Sequence, residues 1–328
     1  MYFVLIFVLL FLAELFYFRI ADKYNIIDKP NERSSHTRVT LRGGGVIFFL
    51  GVLVYFLTVQ FVYPWFVVGL TLITVVSFID DIRPVSQKVR LIFHFVGMGF
   101  MFCQWGMLDM QWSWWYVVIA LVCCTGIINA YNFMDGINGI TGGYSLVVLL
   151  ALAYIDEFMV RFTDIEFIYV LILAVMVFNF FNFRKRAKCF AGDVGSVSMA
   201  FILVFLMGQL ILTTQDLSYI VLLVVYGVDS VLTVIHRVML HENISLPHRK
   251  HVYQLMANEL KIPHVVVSLI YMCVQALIAV GFVAVHSYNC GCWYLLTSIL
   301  LLSAFYVVFM KKYFHLHLNN LKTKYLCN

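Results

Sequence analysis

Eleven long apolar runs, separated by short polar loops, constrain this chain more than any other feature. They lie near residues 2–20, 45–62, 64–79, 91–107, 114–130, 143–155, 164–182, 196–213, 217–240, 264–286 and 292–310. A helix needs roughly 20 apolar residues to cross the roughly 30 Å hydrocarbon core of a bilayer. The runs are continuous rather than alternating, which excludes a transmembrane β-barrel. Composition agrees: 63% of residues are hydrophobic and 12% charged, where soluble proteins carry about 45–50% and about 25%. Such a chain cannot cover its surface with polar groups in water, and disordered, coiled-coil and disulfide-stapled folds are excluded with it. The expected fold is therefore an all-α, polytopic transmembrane helical bundle of about eleven spans, with ten as the alternative count. It forms one integral membrane domain over residues 1–328. The first run has no basic leader and no small-residue cleavage site, so it reads as a permanent span. The eight cysteines form no CxxC pair and mostly lie within apolar runs, where cysteine packs as a small hydrophobe.

Charge sets the expected orientation. Apart from Arg19, Arg161 and Arg237, every Lys and Arg lies in the loops after the first, third, seventh and ninth runs or in the C-terminal tail. The positive-inside rule then places the N-terminus outside, and the C-terminus and the polar loops in the cytoplasm. A transporter would show the same asymmetry.

Five polar loops hold the chemistry. The first contains Asp28–His36 and then Arg42-Gly43-Gly44-Gly45 at the mouth of the second run. Glycines at a helix start can bring backbone N–H groups close to an anion, or can serve as a hinge. The second opens with Asp80-Asp81-Ile82-Arg83-Pro84 and continues to Lys88 and Arg90. Paired acids at a helix C-terminus face the negative end of the dipole, which favours a compensating divalent or basic partner. The third runs from Asn129 to Gly139. Its Asp135-Gly136 and Asn138-Gly139 steps form turns, while Asn129 and Asn132 sit where a span should still be apolar, as in the lining of a polar cavity. The fourth, Phe190-Ala191-Gly192-Asp193-Val194-Gly195-Ser196, joins glycines, a hard carboxylate and a helix start. That suits an N-cap, or a Mg²⁺-phosphate site. The fifth, Pro247-His248-Arg249-Lys250-His251, is a cationic cluster fit for phosphate or for anionic lipid. Metal-holding acids, a cationic clamp and glycine-rich turns together are what phosphoryl transfer requires.

The stretches DKPNERSSH with RGGG, DDIRPVSQKVRLIFH, NAYNFMDGING, FAGDVGS and PHRKHVYQ, in this order, resemble the polyprenyl-phosphate N-acetylhexosamine-1-phosphate transferases. That family (glycosyltransferase 4) includes the phospho-muramoyl-pentapeptide transferase. PHRKH is nearest to the branch serving O-antigen and capsule repeats, and lacks the three adjacent histidines of the peptidoglycan enzymes. The resemblance implies Mg-dependent transfer of a HexNAc-1-phosphate, including 6-deoxy or otherwise modified sugars, from a UDP-sugar to undecaprenyl phosphate with release of UMP. Mn²⁺ would be able to substitute for Mg²⁺. The expected setting is the bacterial inner membrane, with membrane lipids and a homodimer as further partners and no nucleic acid.

By the same resemblance Asp80 and Asp81 are the catalytic residues and Asp193 holds the metal. Phe190 stacks on uracil, and Asn132 and Asp135 belong to the nucleotide pocket. Lys88, Ser196, His248, Arg249 and His251 complete the substrate-binding set, with Arg33, His36, Asn182 and Asp229 as further candidates. The chain departs from the family where Asn138 stands for an aspartate, Leu41 for a proline, and Arg186-Ala187 for a Pro-Ala step.

Chemically, an oxygen of the lipid phosphate would attack the sugar-bearing β-phosphate. A phosphate monoester has a second pKa near 6 and is already largely ionised. Asp80 therefore reads as a positioner or base in one displacement rather than as a covalent nucleophile. Two other classes remain: a transporter or flippase, which would place more ionisable groups at mid-membrane than Glu14 and Asp229, and an intramembrane aspartyl protease, for which only Asp229 could partner Asp193.

Overall fold

The computed structural model describes residues 1–28, 39–59, 61–108, 113–243 and 248–326, and side chains as far as residue 318. Arg33 and His36 lie outside the described residues. Each of the eleven apolar runs is a helix. They are α1 (Tyr2–Lys23), α2 (Val46–Thr58), α3 (Pro64–Ile82), α4 (Gln87–Gln104), α5 (Trp114–Met134), α6 (Ile140–Phe158), α7 (Ile165–Asn182), α8 (Gly192–Thr214), α9 (Val224–Met239), α11 (His264–His286) and α12 (Gly291–Leu326). A 3₁₀ segment, Leu217–Leu223, leads into α9, and a two-turn helix, α10 (Val252–Asn258), follows the basic loop. Among the described residues, nine helical segments are long and apolar enough to cross a membrane. The nine do not include α2, with 13 residues, or α4, whose first turn carries Lys88 and Arg90. The chain is an all-helical, multi-pass membrane protein.

Local chemistry explains where the helices begin. Pro64 opens α3 with a pre-set φ and no N–H to satisfy. The side chains of Ser86 and Asp164 accept hydrogen bonds from Val89 N and Glu166 N at the starts of α4 and α7. Gly139, at φ +84°, turns the chain into α6.

The axis of the bundle is α8, buried without interruption from Val194 to Met207. It packs against α2, α3 and α5. At its start it crosses α2 at backbone distance: a Cβ on Gly45 would lie 2.9 Å from Ala191 O, besides colliding with Gly195. The outer helices are different. On α12, Trp293, Leu300, Leu301 and Val308 are exposed, and α5 exposes Trp114, Ile119 and Val122. Apolar faces of this kind suit lipid as the solvent.

A two-stranded antiparallel ribbon, β1 (Ile27–Asp28) and β2 (Thr40–Leu41), pairs Ile27 with Leu41 and Asp28 with Thr40. Leu41 also bridges Cys189. Phe190 N donates to Leu41 O (2.8 Å), and Gly44 N donates to Phe190 O (2.9 Å). The first and fourth polar loops are thereby stitched together, and that stitching sets the position of Arg42.

Candidate active site

Three carboxylates and two guanidiniums interlock where α3, α4 and α8 meet. Arg42 Nε lies 2.7 Å from Asp81 Oδ1, and its Nη2 lies 3.4 Å from Asp193 Oδ1. Arg90 Nη1 lies 2.9 Å from Asp80 Oδ2 and 3.1 Å from Asp193 Oδ2. Burial works against the charge of Arg42, but Asp81 and Asp193 outweigh it and hold its pKa above the ordinary value.

The acids of the pair have different duties. Asp81 Oδ1 and Oδ2 accept from the backbone N–H groups of Asp193 (2.9 Å) and Val194 (3.0 Å), and the Asp81 side chain is wholly inaccessible. It is the N-terminal cap of α8, supplied by a helix 112 positions away in sequence. Asp81, expected to be catalytic, has both carboxylate oxygens engaged by this backbone and by Arg42. Asp80 and Asp193 keep accessible edges, at 9% and 16%. Gly192 has φ +73°, and a Cβ there would lie 3.0 Å from Asp81 Cγ and 2.9 Å from Gly43 N. The glycine of the FAGD block is required for this approach.

In the glycine run after Arg42, two of the three N–H groups are spent within the protein. The N–H groups of Gly44 and Gly45 donate to Phe190 O and Ala191 O, and the Gly45 Cα meets α8. Ser196, expected to bind substrate, is fully buried and donates to Gly192 O within its own helix (3.1 Å). Asn182 is buried too: its Oδ1 accepts from Gly139 N (2.7 Å) and its Nδ2 donates to Cys189 O (2.8 Å). It ties the third loop to the fourth rather than facing a ligand. Asn138, where an aspartate was expected from the resemblance, donates to Arg184 O (2.9 Å) and locks the same corner.

Asp135 approaches the acidic cluster from the third loop. Its Oδ1 accepts from Thr141 Oγ1 at 2.6 Å. Burial pushes its pKa up to about 6; Thr141 opposes that shift, and nearby Asp193 adds to it. Asn132 and Phe190 are half-buried at the edges of this region, and Lys88 is exposed.

The basic loop closes over the third loop from the other side. Tyr253 OH donates to Phe133 O (2.9 Å), and the Tyr253 ring covers Gly136, where a Cβ would come within 3.1 Å of it. The His248 ring stands 6.1 Å from that of Phe133 and 4.9 Å from that of His251. Burial, then the neighbouring His251, Arg237 and Lys250, push the His248 pKa down to about 3. His251 is buried beside Asp229, Nδ1 to Oδ1 3.4 Å. Asp229 also accepts from Tyr271 OH (2.6 Å), Val252 N (3.1 Å) and Thr233 Oγ1 (3.2 Å). It joins α9, α10 and α11 and has no free edge for substrate. Lys250 pairs with Glu242, which Arg237 also holds at 3.2 Å. Arg249 is half-buried near Glu259.

Arg42 and Arg90 stand in the cluster although the resemblance assigns neither a role. Successive helical residues are about 100° apart, so Lys88 and Arg90 diverge by about 200° and only one can face Asp80. Reading that period from the start of α4 would have offered the choice, though not its answer. Glu14, wholly buried, accepts from Cys189 Sγ at 3.7 Å and stands directly behind Gly44.

Among the described residues no three His, Cys, Asp or Glu side chains form a protein-only metal cage. A hard divalent ion such as Mg²⁺ does not ask for one, since it commonly takes one or two carboxylates plus substrate phosphates. Asp80 Oδ2 and Asp193 Oδ2 already converge on a single cationic nitrogen. With all groups ionised, Asp80, Asp81 and Asp193 exceed Arg42 and Arg90 by one negative charge, and Asp135 adds another. The residues fit such an ion.

The model of glycosyl transferase family 4 matches residues 63–211. A probable undecaprenyl-phosphate N-acetylglucosaminyl 1-phosphate transferase of Bacillus subtilis (strain 168) is 26% identical over 254 residues, covering 72% of this chain and 70% of its own. An undecaprenyl-phosphate alpha-N-acetylglucosaminyl 1-phosphate transferase of Escherichia coli O157:H7 is 25% identical, covering 90% and 86%. A similarly named protein of Yersinia pestis is 28% identical, covering 62% and 61%.

Proposed function

The chain belongs to glycosyl transferase family 4, the polyprenyl-phosphate N-acetylhexosamine-1-phosphate transferases, and from that premise we propose that it moves a HexNAc-1-phosphate from a UDP-sugar to undecaprenyl phosphate, releasing UMP. The observation that carries this reading is the convergence of Asp80 and Asp193 on Arg90, flanked by Asp135 on one side and the basic loop beyond it. The charges run from acidic to basic across the site, as a metal-assisted diphosphate reaction needs.

Asp193 and Asp80 would hold Mg²⁺. The ion, when bound, supplies charge neutralisation on the diphosphate. Every other duty falls to the chain. Asp81 and Arg42 fix the start of α8 and hence Asp193. Arg90 is placed to pass from its carboxylates to an incoming phosphate oxygen, and Asp80 to orient the lipid phosphate. Arg249 offers a planar guanidinium for bidentate phosphate contact. The lipid phosphate oxygen forms its bond to the β-phosphorus as the bond to the UMP oxygen breaks, and UMP leaves with that electron pair. The half-buried Phe190 remains our candidate for the uracil platform, with Asn132 beside it.

The branch serving O-antigen or capsule repeats, the inner membrane, cytoplasmic loops and an external N-terminus complete the proposal. It is supported by the basic-loop pattern and by the distribution of Lys and Arg. Purified protein in detergent given UDP-GlcNAc, or other UDP-HexNAc sugars, with undecaprenyl phosphate and Mg²⁺ should release UMP and form a lipid-linked sugar diphosphate. UMP release that does not depend on the lipid phosphate, or none with any UDP-HexNAc, would overturn the assignment.

A further inference from the structure

The last helix does more than cross the bundle. Its final described turns put a row of side chains along the basic loop and its supports. Tyr306, Met310, Phe314 and His317 recur at intervals of four, four and three residues and so share one face of α12. Of these, Tyr306, Met310 and His317 are buried, although most of α12 is not. The row makes one contact with the loop itself and two with the helices that support it. Tyr306 OH lies 3.2 Å from Thr233 Oγ1, which reaches Asp229, the acceptor of Val252 N just after the loop. The Phe314 ring lies 5.7 Å from Lys250 Nζ and 4.7 Å from the His236 ring. His317 Nδ1 lies 2.9 Å from Glu259 Oε1, with both side chains almost inaccessible.

We propose that this face of α12 is a positioning element for the basic loop: Phe314 carries Lys250, Tyr306 braces the Thr233–Asp229 support, and His317 holds Glu259 at the end of α10, so that the loop keeps Arg249 in one arrangement toward the anionic substrate. The inference rests on the reading of this loop as the diphosphate clamp. Glu259 is close enough to oppose the effect of burial on Arg249 and favour its charge. Long cationic side chains lose much rotamer freedom when they bind, and groups that fix them beforehand reduce that loss. The expected signature is in substrate binding rather than in turnover. Among the described residues of α12, none makes a hydrogen bond or ion pair with the acidic cluster where the bonds change.

The test uses the full chain in detergent. UMP affinity is measured by calorimetry, and steady-state kinetics are measured with a UDP-HexNAc sugar. His317→Ala and the near-isosteric Glu259→Gln should each raise KM and weaken UMP binding about tenfold, with kcat within about twofold. His317→Asn, whose amide can donate from near the Nδ1 position, should recover to within about threefold. In an Arg249→Ala background, His317→Ala should add less than about twofold, because its effect passes through that arginine. Unchanged KM and UMP affinity in Glu259→Gln would overturn the proposal. So would a full tenfold increment on top of Arg249→Ala, which marks ordinary structural damage. If the unaltered protein neither binds UMP nor releases it, the functional reading itself fails and this inference falls with it. Binding by the unaltered protein with unaffected variants rejects the α12 role alone.

Discussion

The acidic cluster and the basic loop handle buried charge in opposite ways. In the cluster the acids are the more enclosed: Asp81, Asp80 and Asp193 are 0%, 9% and 16% exposed, against 32% for Arg42, which holds Asp81 and Asp193, and 25% for Arg90, which holds Asp80 and Asp193. In the loop the cations are the more enclosed: His251 is buried beside Asp229, and Lys250 is 10% exposed against 32% for its partner Glu242. Breaking a buried pair by removing one partner leaves the other uncompensated, at about 3–5 kcal/mol. In each region the more enclosed charges are matched by the opposite sign, and the cluster holds one more carboxylate than it has guanidiniums.

The strongest way to break that contrast is to remove the exposed acid. Asp193→Asn should lower kcat at least about a thousandfold, roughly 4 kcal/mol of barrier, while the protein still binds UMP. Turnover within about threefold of wild type would remove Asp193 from the metal site.

A subtler comparison lies within the acid pair. Asp81→Ala removes the α8 cap and the partner of Arg42, so it should cost about 3–5 kcal/mol of stability and lower Tm along with activity. Asp80→Ala leaves Arg90 still paired with Asp193, so it should lose activity with only about 1–2 kcal/mol of stability. Equal Tm losses would abolish the distinction between a positioning acid and a reacting one.

The smallest expected effect is in pH. With its pKa near 6, Asp135 gains its charge between about pH 5 and 7, so activity should rise through about 6 and flatten above 7. The stability sign is the reverse. A folded-state pKa raised above the ordinary carboxylate value stabilises the protein below that value, and the stabilisation is lost as pH rises through 6. Without added divalent ion, Tm should therefore be higher at pH 5 than at pH 7. Asp135→Asn should reduce both trends. His248→Gln should leave them, because His248 stays neutral throughout this range. A pH limb that follows His248 instead would reverse the roles of the two loops.

How much of this was legible beforehand depends on the range over which each property acts. Hydropathy is local: a run of apolar residues becomes a helix wherever it is placed, so the eleven helices and the five loops between them could be read from the order of residues. Motif order was enough for the family. The use of individual polar groups was not readable. Asp81 and Asp193 look alike as acids at helix ends, but one is enclosed by the other's backbone N–H. The glycines after Arg42 could have bound an anion until α8 was found lying against them. Asn182, Ser196 and Asp229 resemble ligand-binding residues in a list of motifs, yet each has its hydrogen bonds met inside the protein. In a low-dielectric interior an unpaired polar group costs so much that partners are recruited from any helix within reach. Only packing decides which helix that is. Sequence determined the helices and the chemistry available to them; the tertiary structure decided which charges face the substrate and which hold the others in place.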